Sequence, residues 1–125
     1  MTSADHATDW RELREFAAVD LMKSFVLGWE VEGGILMIDV DLYLTPDHAF
    51  YEEPRPAEKV CIRPATIEFR LFRGLDSERG TSAQDLATGA ISGMRRLADG
   101  RYEIRGDFGV VLIDAERPIM KLKVL

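Results

Sequence analysis

Apolar residues recur along this chain first at helical spacing and then at every second position. Trp10, Leu13, Phe16, Ala17 and Leu21 fall on one helical stripe, with Arg11, Arg14 and Glu15 facing away. Asp9 stands where a carboxylate caps a first turn, Glu12 follows three residues on, and Lys23 suits the negative end of the dipole. The spacing predicts a helix from Asp9 to Lys23–Ser24. Asp20 falls inside its apolar stripe. A buried carboxylate needs donors, so Asp20 is expected to take a structural role on an arginine or on backbone N–H groups.

The period then becomes two. Phe25, Leu27, Trp29 and Val31 alternate with Val26, Gly28, Glu30 and Glu32, and Gly33-Gly34 supplies a turn. Ile35–Leu44 returns with Leu36, Ile38, Val40, Leu42 and Leu44 on one face and Ile35, Met37, Asp39, Asp41 and Tyr43 on the other. Residues 45–59 contain three prolines and read as a long connection anchored by Phe50 and Tyr51. Further strands are expected over Val60–Phe72, disturbed at Pro64, then over Ile91–Leu97, Arg101–Arg105, Val110–Asp114 and Ile119–Val124. A helical turn is expected at 83–87, and Asp99-Gly100 marks a hairpin. The expected class is α+β: an N-terminal helix followed by a mostly antiparallel, curved β-sheet or sandwich of about seven strands. It forms one domain over 1–125, with 1–8 as a flexible tail.

Composition narrows the class of molecule. Of 125 residues, 46% are hydrophobic and 30% charged, enough apolar surface to exclude disorder as the main state. The single cysteine, Cys61, permits no intramolecular disulfide and fits a reducing compartment. No apolar run approaches the roughly 20 residues that a membrane helix needs, and no leader pattern opens the chain. A cytoplasmic protein that binds no membrane is expected. The net charge of −6 is unevenly spread: residues 1–58 hold 13 acidic and 4 basic residues, residues 59–125 hold 9 and 12. Either the acidic half meets a basic partner or the two halves neutralise each other.

Candidate chemistry is sparse. Asp39 and Asp41, two apart on a strand, share a face; with His48 they could hold a divalent cation or divide acid and base roles. Plain outward charges explain them equally. Tyr51, Glu52, Glu53 and Arg55 join His48 as a candidate ligand or partner surface. Cys61 with His48 has the residue types of a nucleophile–base pair, but its apolar neighbours suit a buried thiol. Arg95, Arg96, Arg101, Arg105, Lys121 and Lys123 could meet phosphates. With Tyr102 the only aromatic residue beside them on the hairpin and Arg96 able to pair with Glu103, nucleic acid is not an expected partner. Trp10 and Trp29 read as core. No phosphate-cradling glycine loop, paired CxxC, HExxH or GxSxG occurs, so neither cofactor nor metal nor catalytic set is expected.

The run His48–Phe69, and Gly106-Asp107-Phe108-Gly109 leading into Val110–Ile113, resemble a family of small uncharacterised bacterial β-rich domains. That resemblance implies a bacterial cytoplasmic domain and brings no activity. The leading expectation is a non-catalytic interaction domain, in one version an acidic toxin-neutralising, immunity-like protein steered by charge onto a basic target. The alternative is a small-molecule-binding protein or small enzyme. Its pocket would lie at one end of the sheet, lined by Asp39, Asp41, His48 and Tyr51. Self-association through an exposed strand edge is a third expectation.

Overall fold

The computed structural model describes residues 7–49, 51–53, 61–78 and 80–123. Nine strands follow one another: β1 (Thr8–Asp9), β2 (Val19–Glu32), β3 (Ile35–Leu44), β4 (Cys61–Phe69), β5 (Gly74–Ser77), β6 (Gly89–Arg96), β7 (Tyr102–Gly106), β8 (Gly109–Asp114) and β9 (Ile119–Leu122). All pairings are antiparallel, in the order β5-β8-β7-β6-β2-β3-β4-β9, with β1 added to β6. Among the described residues the only helical segments are three 3-10 turns of three residues each, Trp10–Glu12, Arg14–Phe16 and Ala83–Asp85. The antiparallel sheet is as expected. The α+β class is not: the fold is almost entirely β, and the N-terminal helix is absent. Thr8, expected in a loose tail, lies in β1.

The missing helix has a local cause. The Asp9 carboxylate does cap a turn, accepting from the Arg11 N–H at 3.1 Å. That turn stops at Leu13, whose backbone is extended, and the next stops at Ala17, ahead of Ala18 at φ 59°. Trp10, Leu13, Phe16 and Val19 stand three apart, the repeat of a 3-10 helix rather than of an α-helix. Successive tight turns bury Trp10 and Phe16 and deliver the chain to buried Val19 at the start of β2. The β-branched and aromatic residues of β2 then draw residues 19–24 into the sheet.

Within β2 the inward face also differs from simple alternation. Val26 is buried while Phe25 and Leu27 are exposed. Two register shifts explain it. Leu21–Ser24 stand opposite Leu42 alone, between the pairs Asp20↔Tyr43 and Phe25↔Asp41, and Leu27 is extra between Val26↔Val40 and Gly28↔Asp39. Ser24, fully buried, holds the first bulge: its hydroxyl donates to the Asp20 carbonyl at 2.8 Å and accepts from the Tyr43 N–H at 3.0 Å. β3 needs no such correction, and its five expected inward residues are all buried. Pro64 sits inside β4, where its carbonyl accepts from the Lys123 N–H at 3.0 Å, just past the last β9 pair. The proline ring thus removes a donor only where that ladder ends.

The two ends of the strand order are joined by the chain itself. β5 is the continuation of β4, and β9 the continuation of β8. The two bent ribbons stay paired across their corners: the Glu116 N–H donates to the Arg70 carbonyl at 3.0 Å and the Arg73 N–H to the Asp114 carbonyl at 2.8 Å. The sheet consequently closes on itself. Phe69 of β4 meets Tyr102 of β7 edge-on across the interior, with ring centroids 5.3 Å apart. Leu71 turns one corner in a left-handed conformation, φ 49°, with its side chain two-thirds exposed. No helix among the described residues is long and apolar enough to cross a membrane.

Candidate functional site

Four connections gather at one end of the closed sheet: the Gly33-Gly34 turn, the 70–73 corner, the 97–100 turn and the 115–118 corner. Between them lies a cleft of about 1010 Å3. Ile35, Leu71, Phe72, Ala115 and Ile119 give it apolar walls, and its charged groups are four arginines, Arg70, Arg73, Arg96 and Arg117, against the single carboxylate of Glu116. Two of the arginines are committed. Arg73 binds Asp114 at 2.8 Å, and Arg70 reaches Glu68 at 3.5 Å. Arg96 and Arg117 form no ion pair among the described residues.

Strand pairing aims Arg96 into this end. Arg95 stands opposite Glu103, and Arg96 opposite Tyr102. Directly opposed residues share a face, and Tyr102 is an inward residue, 1% exposed. The expected Arg96–Glu103 pair is therefore one position off: Arg95 makes it, Nε to Oε1 at 3.0 Å, on the outer face. A slip of one residue exchanges the faces, so Arg96 passes from a surface ion pair to the cleft wall. The guanidinium lies over the β6–β7 turn, where a Cβ on Gly100 would come within 3.8 Å of it.

Neither the Tyr102 hydroxyl nor the Arg96 Nε is satisfied among the described residues. The Tyr102 hydroxyl and the Arg96 Nε are buried atoms without a hydrogen-bond partner, and so are Glu15 Oε2 and Trp10 Nε1. Burial raises the pKa of the Tyr102 phenol, and the Glu15 carboxylate raises it further; the charges of Arg96 and Arg117 pull the other way without cancelling the shift. Tyr102 is thus a phenol that keeps its proton.

The residues singled out from the sequence lie elsewhere. Asp39 and Asp41 stand on the outer face of β3; Asp39 meets Lys123 at 3.1 Å and the Thr66 hydroxyl at 3.2 Å. The His48 backbone belongs to the turn beyond β3, donating to the Thr45 carbonyl and accepting from the Tyr51 N–H. Tyr51 packs partly buried against the core, and its pKa is raised by that burial, then by Glu53, Cys61 and Tyr43. Glu52 pairs with Arg63 at 2.6 Å, and Glu53 is exposed. Arg55 and Phe50 lie outside the described residues. None of Asp39, Asp41, His48 or Tyr51 lines the cleft. Among the described residues no group of three His, Cys, Asp or Glu side chains could hold a metal ion.

Of the residues assigned structural roles, Asp20 accepts from the Met22 N–H at 3.1 Å at the β2 bulge. Trp10 is buried under the Arg11 guanidinium, and Trp29 donates to the Ala87 carbonyl at 2.8 Å while its ring meets Phe108. Cys61 is a free, buried thiol in β4. No family model matches the chain, and no curated protein and no solved structure matches it.

Proposed function

We propose that this chain is a non-catalytic binding domain that holds a small molecule in the cleft at the end of its closed sheet. One observation carries the reading: a cleft of about 1010 Å3 combines apolar walls with a few polar groups. That is the make-up of a ligand site rather than of a protein-contact face. The cleft occupies one end of the sheet, and none of Asp39, Asp41, His48 or Tyr51 belongs to its lining. A cytoplasmic setting belongs to the same reading and draws support from the unpaired thiol of Cys61. Titration with a panel of small aromatic compounds, neutral and charged, followed by amide chemical shifts, tests it. Shifts are expected at Gly34, Leu71, Gly100 and Glu116. A panel in which no compound moves those amides overturns the reading.

A second surface favours an interaction role, the acidic toxin-neutralising version included. Met22, Phe25, Leu27 and Ile62 are all exposed by 42% or more of their surface. Strand register sets Phe25 beside Asp41 and Pro64, and Ile62 beside Tyr43 and Asp20. An apolar outer face edged by carboxylates suits a partner with basic residues around an apolar centre.

A further inference from the structure

We infer that the cleft takes a small organic anion, a carboxylate or phosphate monoester on an apolar body, whose charged end is held by Arg96 and the Tyr102 hydroxyl. The inference rests on the small-molecule reading and specifies its ligand. Tyr102 is 1% exposed, lines the cleft, and offers a hydroxyl with no partner. Arg96 Nε beside it is equally orphaned. Buried polar groups are ordinarily satisfied, and two left open in one cavity mark a place where something else completes them. Arginine has donors only, and a tyrosine that keeps its proton can donate as well. The two donors have no bonded acceptor among the groups that line the cleft, and the strongest acceptors are anionic oxygens.

The charge around them agrees. Arg117 brings a second guanidinium without an ion pair among the described residues, whereas Arg70 and Arg73 are held by Glu68 and Asp114. Around the Tyr102 hydroxyl the carboxylates of Glu15 and Glu116 disfavour negative charge and the guanidiniums of Arg96 and Arg117 favour it, so the anionic group is held from the arginine side. The ligand carries its charge at that end. The other end meets Leu71, Phe72 and Ile119. Leu71 is held two-thirds exposed in a left-handed backbone conformation that disfavours a branched side chain. Strained residues of this kind concentrate at ligand clamps.

Calorimetric binding of phenyl phosphate, phenylacetate and the neutral phenylacetamide tests the inference, on the full chain and on Tyr102→Phe and Arg96→Gln. At least one anion is expected to bind about tenfold or more tightly than the amide, and each substitution to collapse that ratio. Phosphate over carboxylate, or the reverse, identifies the headgroup. The ligand-free Tyr102→Phe protein is expected to melt no lower than the parent, because its hydroxyl has no internal bond to lose. A clearly lower melting temperature would show a structural hydroxyl and overturn the role given to Tyr102. Equal binding of anions and amide in the parent chain overturns the anion while leaving a small-molecule cleft; no binding of any of the three at the cleft overturns both.

Discussion

Glu103 is the one buried charged side chain among the described residues, 8% exposed on the outer face of β7. Burial by itself raises its pKa. Hydrogen bonds from Arg95 and Arg105, Nε to Oε1 at 3.0 and 2.8 Å, and the charges of the two guanidiniums outweigh it, so the carboxyl sits below its ordinary value of 4.5. A group whose pKa falls on folding stabilises the fold above its unfolded pKa. That contribution drains away as pH drops through the folded value. Both arginines are more than a third exposed, which screens the interaction. Glu103→Gln is therefore expected to cost only about 1 kcal/mol at neutral pH. Urea unfolding of both proteins from pH 7 to pH 3 checks this: the gap should hold above the ordinary glutamate pKa and close below it. A gap that widens in acid would mean that the arginines do not stabilise the ionised form.

At the scale of elements, β2 shows what one serine can hold. Ser24→Ala removes the group that serves both the Asp20 carbonyl and the Tyr43 N–H inside a fully buried bulge. Two backbone groups lose their partner, so a loss of about 1–3 kcal/mol is expected by chemical denaturation. A loss below about 0.5 kcal/mol, the level of an ordinary surface substitution, would show that the bulge stands without the hydroxyl. The same strand marks where sequence reading ends. β3 was legible because its alternation is unbroken from Ile35 to Leu44, and its turn is written as Gly33-Gly34. β2 was not, since each bulge reverses the parity of every residue behind it. The 9–18 segment was misread because apolar residues three apart fit a helical stripe and a string of 3-10 turns alike. The cleft was the least legible part. It is assembled from turns and corners at 33–35, 70–73, 96–102 and 115–119, which only the closure of the sheet brings together. Arg96 gave a weak signal, and the register that turns it inward depends on the β-bulge between Ile91 and Gly93.

Across the whole molecule, charge and exposed apolar surface pull in opposite directions. Of the nine ion pairs among the described residues, two link the acidic first half to the second, Arg63–Glu52 and Lys123–Asp39. The other seven lie within one half, so mutual neutralisation is slight and the outer face of β2 and β3 keeps an acidic character. Two copies, each carrying −6, repel when their apolar faces approach. Salt removes that repulsion, shortening the screening length from roughly 30 Å at 0.01 M to roughly 3 Å at 1 M. Contact between Phe25, Leu27 and Ile62 of two copies does not weaken with it. Static light scattering is therefore expected to give the 14.1 kDa monomer at low salt and a rising mean mass at high salt. Phe25→Glu should abolish the rise, because it places a charge in the middle of the patch. For a basic partner the same charge works in reverse: attraction at low salt, release at high salt. A mass that stays monomeric throughout would leave the patch too small to hold a second copy. Dimers that salt dissolves would show polar contacts, not this apolar face, joining them.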